Sequence, residues 1–200
     1  MNIPNKLTLS RLFMAILLVV LLTTPFAFSY TLALVVFVLA AITDALDGSL
    51  ARNKYGITDF GKLMDPLADK VLIAAAFICF VGTRLPTQTN SLVPAWMVVL
   101  ILSREFLVTG LRLLAAGKGR VISAGNWGKH KTTWQIIIII AILLLLTVRY
   151  DFMPEQAAYL QEFDYYFDLG TYIAVFCVAI LTVVSGLIYF KNHSDLIADD

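Results

Sequence analysis

The sequence has few charges, almost no cysteine and no tract of low complexity. Only 14% of its 200 residues are charged, and the mean hydropathy is +0.83, whereas about a quarter of the residues in a soluble domain are charged. The two cysteines, Cys79 and Cys177, lie in separate apolar runs and form neither a disulfide framework nor a zinc-binding pattern. No internal repeat is visible. This composition predicts an integral membrane protein.

Long hydrophobic runs fill the chain, and 60% of its residues are apolar. About 20 apolar residues cross the hydrocarbon core as a helix, so we predict an all-α, six-transmembrane-helix bundle that forms a single domain over residues 1–200. We interpret the first run as a retained helix because it contains no small-residue cleavage site of the kind that follows a signal peptide. The predicted spans are residues 8–29, 31–52, 61–82, 92–116, 131–150 and 169–190.

The distribution of basic residues predicts how this bundle is oriented. Thirteen of the fifteen lysines and arginines flank one side of the predicted spans, and only Arg84 and Arg149 flank the other side. Cytoplasmic segments of membrane proteins carry an excess of lysine and arginine. We therefore expect both termini to be cytoplasmic, in a multi-pass protein of the inner (cytoplasmic) membrane.

Four aspartates, Asp44, Asp47, Asp65 and Asp69, abut the apolar runs. An aspartate at the centre of a membrane helix costs roughly 2.5–3.5 kcal/mol, so such residues are functional candidates by default. On a helix, residues three or four positions apart share one face, which places Asp44 with Asp47 and Asp65 with Asp69. Two facing helices can bring all four carboxylates together in the cytoplasmic half of the bundle. Such oxygen ligands suit Mg²⁺ or Mn²⁺.

Small and basic residues follow the first aspartate pair on the same predicted helix. Gly48 and Ala51 lack bulk, so a ligand can lie close to the backbone, and Arg52 adds a guanidinium fork that suits phosphate. Together with the aspartates, they indicate a substrate that carries a pyrophosphate. The aspartates could instead form structural ion pairs with neighbouring basic residues, but that interpretation suits a single aspartate better than four at this spacing.

The segment resembles the signature of the CDP-alcohol phosphotransferase family, D-x2-D-G-x2-A-R-x8-G-x3-D-x3-D, at every specified position. The resemblance implies a six-helix bundle, usually dimeric, that joins an alcohol to the phosphatidyl group of a CDP-linked lipid and releases CMP. It also implies two divalent cations held by Asp44, Asp47, Asp65 and Asp69, with Asp69 as the general base. The nucleotide contacts that it implies are Asn5, Thr8, Asp47, Gly48, Ala51, Arg52 and Gly61.

Further stretches of the sequence resemble the phosphatidylglycerophosphate synthase branch of that family. They are residues 2–11, 64–70, 103–106, 109–112 and 128–132. This resemblance implies that CDP-diacylglycerol is the lipid donor and sn-glycerol 3-phosphate the acceptor, giving phosphatidylglycerol phosphate and CMP in phospholipid biosynthesis. We expect a homodimer in the lipid membrane and no nucleic-acid partner.

A phosphorylated acceptor needs cations of its own near the metal site. Arg104 and Arg112 are eight residues apart on one predicted helix, and Lys129 and Lys131 begin the next one. An arginine as deep in an apolar run as Arg104 needs an anionic partner. The adjacent Glu105 points elsewhere on an ideal helix and is not expected to contact Arg104 directly. We therefore predict that Arg104, Arg112, Lys129 and Lys131 bind the acceptor phosphate.

Other functions stay open from the sequence alone. The same chemistry could use inositol phosphate, serine or phosphatidylglycerol as its acceptor. Intramembrane acids also mark the ion pathways of cation transporters, although transporters tend to contain internal repeats. An intramembrane prenyltransferase binds Mg²⁺ through aspartates as well, but it needs no arginine at this spacing and usually has more spans.

Overall fold

Within the residues that a computed structural model describes, the chain forms six α-helices and no strand. The structure describes residues 3–24, 26–54, 59–117, 126–153 and 159–192; side chains are described for 9–24, 26–43, 70–117, 131–153 and 159–192. The prediction of an all-α fold is confirmed. The helices are α1 (Ile3–Thr23), α2 (Ser29–Lys54), α3 (Asp59–Gly82), α4 (Ala95–Gly117), α5 (Asn126–Thr147) and α6 (Leu160–Asn192), and a π-helical turn (Val148–Phe152) continues α5.

Two segments of the described chain are long and apolar enough to cross a membrane, Lys131–Phe152 and Leu160–Asn192. Three shorter apolar stretches, Leu9–Thr23, Ser29–Thr43 and Lys70–Gly82, lie in α1, α2 and α3. These segments indicate that the protein associates with a membrane. The number of spans stays a prediction.

The ends of several helices differ from the predicted spans. α1 ends at Thr23, two residues before Pro25; proline has no N–H to donate and disfavours helical geometry in the residue before it. α4 begins directly after Pro94 for the same reason. α6 begins at Leu160, nine residues before the predicted span, and Asp164 in its second turn is buried and hydrogen-bonded to distant residues.

The helices pack around a largely apolar core that also contains a few buried polar and charged side chains. α1 contacts α2 and α3, α4 contacts α3 and α6, and α5 contacts α2, α3 and α6. Large apolar side chains also cover the outer surface, and extensive exposed apolar surface marks contact with a membrane or a partner; examples are Leu114, Ile173 and Leu187. Fully buried side chains are Leu18, Phe37, Phe77, Phe80, Met97, Ile101, Ile139 and Leu143.

A buried ion pair ties α5 to α6 at the end of the bundle where α6 begins. Arg149 donates from Nε to Oδ1 of Asp164 at 2.6 Å and from Nη2 to Oδ2 at 3.3 Å. Thr87, in the connection between α3 and α4, donates its hydroxyl to Oδ2 of the same carboxylate at 2.9 Å. We call Arg149, Asp164 and Thr87 the buried clamp. Its hydrogen bonds compensate for removing the two charges from water.

The π-helical turn places the neighbours of Arg149 against other helices. Tyr150 stacks on Tyr30 of α2 with the ring centroids 4.7 Å apart, and its hydroxyl donates to the backbone carbonyl of Arg84 at 2.8 Å. Asp151 accepts hydrogen bonds from the backbone N–H and hydroxyl of Thr31 at 2.7 and 2.6 Å. These contacts join the start of α2, the end of α3 and the end of α5. The aspartate segment, where α2 ends and α3 begins, therefore lies toward the opposite end of the bundle.

Candidate functional site

The four aspartates lie on two consecutive helices. Asp44 and Asp47 are in the second half of α2, and Asp65 and Asp69 are in the first half of α3. The backbone is helical at all four positions, as the spacing predicts. Their side chains lie outside the described residues, so the convergence of the carboxylates stays a prediction.

The predicted nucleotide contacts also lie on helices. Their side chains, like that of Lys129 at the start of α5, are outside the described part of the structure, and their roles stay predictions. The positions are Asn5 and Thr8 in α1, Asp47, Gly48, Ala51 and Arg52 in α2, and Gly61 in α3.

The donor set of the aspartate segment fits a hard divalent cation. Carboxylate oxygens are the protein ligands that Mg²⁺ and Mn²⁺ prefer, and α2 and α3 contribute two carboxylates each. Among the described side chains, no group of three or more acidic, histidine or cysteine residues could hold a metal ion. The candidate ligands are therefore still Asp44, Asp47, Asp65 and Asp69.

The carboxylate of Glu105 on α4 lies close to basic side chains from three helices. Glu105 accepts a hydrogen bond from the amine of Lys131 on α5. Lys70 of α3 donates to the backbone carbonyl of Glu105 at 3.4 Å, and its Nζ lies 4.0 Å from Oε2. Nη1 of Arg104 lies 3.7 Å from Oε1. We call these four residues the Glu105 cluster. Within this cluster three basic side chains lie close to one carboxylate, and ionisable groups gathered in an apolar bundle mark a candidate binding site.

A cavity of about 200 Å³ adjoins the Glu105 cluster. Lys70 and Glu105 form part of its wall, and Arg11, Arg112 and Gln135 add further polar groups. Sites for drug-sized ligands typically measure about 300–1,000 Å³. The size and charge of this cavity therefore suit a small anion rather than a nucleotide or a whole lipid.

The stem of Arg104 lies against α6. A Cβ atom built on Gly186 would be 2.8 Å from Cγ of Arg104, so the absence of a side chain at Gly186 leaves space for the arginine. Nε of Arg104 is buried and has no hydrogen-bond partner among the described residues. Since buried polar groups are almost always hydrogen-bonded, this donor is a candidate contact for an oxygen of a bound anion.

The sequence model of the CDP-alcohol phosphatidyltransferase family matches residues 1–184. The chain belongs to this family. Three similar proteins carry the name CDP-diacylglycerol–glycerol-3-phosphate 3-phosphatidyltransferase. The protein of Bacillus subtilis (strain 168) is 38% identical over 204 residues, which cover 96% of this chain and 95% of the relative. The protein of Rickettsia bellii is 34% identical over 192 residues (95% and 94%), and that of Haemophilus influenzae is 29% identical over 201 residues (100% and 97%).

Membership of the CDP-alcohol phosphatidyltransferase family decides between the classes of function that the sequence leaves open. The chain is an enzyme of phosphatidyl transfer, which rules against the cation-transporter and prenyltransferase alternatives. The family generally depends on divalent metal ions, in agreement with the four carboxylates of α2 and α3.

The phosphatidyltransferase structure brings together three of the four basic residues predicted for the acceptor. Arg104 and Lys131 both lie at Glu105, and Arg112 lines the adjoining cavity. The prediction that Glu105 does not contact Arg104 is wrong. Adjacent helical residues point in different directions, but the long arginine side chain reaches back to the carboxylate. Lys129 lies outside the described side chains.

Several residues of the cavity were not predicted from the sequence. Glu105 carries a signal that could have identified it, because an ionisable residue in an apolar run is a functional candidate. Lys70, at the start of an apolar run, carries the same signal, whereas Gln135 is not ionisable and carries none. Lys70 is 35 residues from Glu105 along the chain, and only helix packing makes them neighbours. Arg11 reaches the cavity from α1 in the same way.

Proposed function

We propose that the chain transfers the phosphatidyl group of CDP-diacylglycerol to the C1 hydroxyl of sn-glycerol 3-phosphate, giving phosphatidylglycerol phosphate and CMP. The observation that supports a phosphorylated acceptor is the Glu105 cluster, in which three basic side chains surround one carboxylate beside a small cavity. Lys70 of that cluster directly follows Asp69, so the chain links the aspartate signature to the basic site. The names of the relatives support the same pair of substrates.

The basic residues bind and orient the acceptor in this proposal. Lys131 and Arg104, held at Glu105, and Arg112 at the cavity wall contact the phosphate together with Lys129. A guanidinium offers several donors in one plane and pairs well with phosphate oxygens. Fixing the phosphate in this way leaves the hydroxyl end of glycerol 3-phosphate free to approach the lipid phosphorus.

The aspartate segment supplies the chemistry of transfer. Asp69 accepts the proton of the C1 hydroxyl while the hydroxyl oxygen forms a bond to the lipid-side phosphorus. The bond from that phosphorus to the CMP oxygen breaks at the same time. Asp44, Asp47, Asp65 and Asp69 would hold two divalent cations, Mg²⁺ or Mn²⁺, which when bound offset the negative charge of the pyrophosphate and of the departing CMP. The cytidine nucleotide is bound by Asn5, Thr8, Asp47, Gly48, Ala51, Arg52 and Gly61.

We also propose that the protein is a single-domain, six-span enzyme of the inner (cytoplasmic) membrane that acts as a homodimer. The positive-inside distribution of lysine and arginine supports a cytoplasmic location for both termini. The apolar side chains on the outer surface support lipid contact. With this orientation, the aspartate segment and the Glu105 cluster are both accessible from the cytoplasm, where the water-soluble acceptor is found.

CMP release is the direct test of this function. Purified protein in detergent is given CDP-diacylglycerol and Mg²⁺ with one acceptor at a time: glycerol 3-phosphate, inositol phosphate, inositol, serine or phosphatidylglycerol. We expect CMP release with glycerol 3-phosphate alone, and in membranes only from inside-out vesicles. Release with another acceptor would agree with the proposed role of the aspartates but contradict glycerol 3-phosphate as the acceptor. Activity confined to right-side-out vesicles would contradict the proposed orientation in the membrane.

Gly186→Ala should weaken acceptor binding through Arg104. The added Cβ would lie 2.8 Å from Cγ of Arg104, so the stem must move and its guanidinium must shift relative to Glu105. Displacing a substrate-positioning group by a fraction of an ångström is costly, and we expect the KM for glycerol 3-phosphate to rise about tenfold. The matched control is Gly170→Ala on the same helix, where a Cβ meets nothing within 4 Å. Equal KM values in the two variants would contradict the assigned role of Arg104.

A further inference from the structure

Gln135 is a buried polar residue whose role the acceptor phosphate does not explain. It lies on α5 and is only 1% exposed. Its Nε2 has no hydrogen-bond partner among the residues that the structure describes. A buried amide that leaves its donors unused is unfavourable, and such groups in native proteins usually bind water or a ligand. Because Gln135 also lines the cavity beside the Glu105 cluster, its amide is positioned to bind the molecule that enters there.

The position of Gln135 on α5 matches the shape of glycerol 3-phosphate. Lys131, which holds Glu105, precedes it by four residues, and residues at that spacing share a helix face with their Cβ atoms about 5–6 Å apart. If the phosphate is bound at Lys131 and the carbon chain of the acceptor extends into the cavity, that chain lies beside Gln135. The secondary hydroxyl on C2 is the polar group nearest to the phosphate along that chain, and it takes no part in the transfer itself.

We propose that the side-chain amide of Gln135 donates a hydrogen bond to the C2 hydroxyl of glycerol 3-phosphate and thereby sets specificity for this acceptor. The inference rests on the proposed function. A site built to hydrogen-bond a substrate hydroxyl discriminates strongly against an analogue that lacks it, because the protein group is then left unpaired. Gln135 would thus exclude phosphorylated alcohols that have the primary hydroxyl and the phosphate but not the secondary hydroxyl.

The test compares two acceptors in two proteins. Glycerol 3-phosphate and 3-hydroxypropyl phosphate have the same length, phosphate and primary hydroxyl, and only the first has the secondary hydroxyl. We expect the wild-type kcat/KM to be at least about tenfold higher for glycerol 3-phosphate. Gln135→Leu should use both acceptors almost equally, and Gln135→Met, which keeps the length of the side chain, should do the same. Gln161→Leu, the same change at an exposed position of α6, should keep the wild-type preference.

Inhibition by inorganic phosphate tests whether Gln135 binds the C2 hydroxyl or the phosphate of the acceptor. Phosphate alone should inhibit the wild type and Gln135→Leu at the same concentration, because the basic residues that bind it are intact. Weaker inhibition of the variant would place Gln135 on the phosphate and overturn the inference. An undiminished preference for glycerol 3-phosphate in Gln135→Leu and Gln135→Met would also overturn it while leaving the proposed function intact. Absence of CMP release from the wild type with glycerol 3-phosphate would overturn both.

Discussion

Asp69→Asn is expected to lower CMP release by at least about 100-fold. Asparagine has nearly the shape of aspartate but cannot accept the proton of the attacking hydroxyl. In α3, Asp69 is one helical turn after Asp65 and directly before Lys70. The proposed base is therefore one helical turn from another proposed metal ligand and directly precedes the residue that approaches Glu105. The measurement is CMP release with CDP-diacylglycerol, glycerol 3-phosphate and Mg²⁺ at saturating concentrations.

Measuring CDP-diacylglycerol binding shows whether Asp69→Asn loses activity because the general base is missing or because the substrate no longer binds. Asp69→Asn should still bind CDP-diacylglycerol, because Asp44, Asp47 and Asp65 are unchanged. Asp168→Asn, the same chemical change on α6, should retain wild-type turnover. Wild-type CMP release by Asp69→Asn would refute the general-base assignment, and a loss of CDP-diacylglycerol binding equal to the loss of turnover would show that Asp69 acts in binding instead.

The sequence predicts the helices well and their ends less well. Continuous apolar runs, separated for example by Pro25, by the polar residues 84–91 and by glycine-containing segments, were sufficient to predict six helices. The early start of α6 could not be predicted in this way. Residues 160–168 are polar and aromatic, and they are typical of an interfacial connection. Within this segment the buried carboxylate of Asp164 is hydrogen-bonded to Arg149 and Thr87, which are 15 and 77 residues away along the chain, and local sequence patterns do not reveal such partners.

The aspartate signature could be predicted from the sequence, whereas the Glu105 cluster could not. The aspartate signature depends on local spacing, so its residues and their helical register follow from the sequence. The Glu105 cluster depends on how α3, α4 and α5 pack, because Lys70 and Lys131 are 35 and 26 residues from Glu105. Hydrophobic periodicity indicates which face of a helix is buried but not which charged residues meet across an interface. Arg104 and Lys131 were therefore predicted as binding residues without the carboxylate that holds them.

Arg149→Ala is expected to destabilise the bundle by about 3–5 kcal/mol. Asp164 has no exposed surface, and the side chain of Arg149 is only 5% exposed. Removing the guanidinium leaves a buried carboxylate with the hydroxyl of Thr87 as its remaining described donor. For a chain of this length the change corresponds to a fall of roughly 6–20 °C in Tm. Thermal unfolding in detergent measures it.

The control for this change is Arg84→Ala. The described hydrogen bond of Arg84 uses its backbone carbonyl, which accepts from Tyr150, so removing the side chain preserves that contact. An equal Tm for the two variants would show that the buried clamp contributes little. Replacing both charges, with Arg149→Met and Asp164→Leu together, should restore much of the lost stability, because an apolar pair leaves no buried charge unpaired.

Substitutions in the buried clamp and in the acceptor site should also have different effects on the KM for glycerol 3-phosphate. Arg149 lies where α5 ends and α6 begins, whereas Lys131 and Gln135 lie in the first half of α5 and Gly186 in the last third of α6. Below its own Tm, Arg149→Ala should therefore retain the wild-type KM for glycerol 3-phosphate, whereas Gly186→Ala, measured below its own Tm, should raise that KM. A raised KM in Arg149→Ala would mean that the two ends of the bundle are coupled, and the clamp would then contribute to positioning the acceptor as well as to stability.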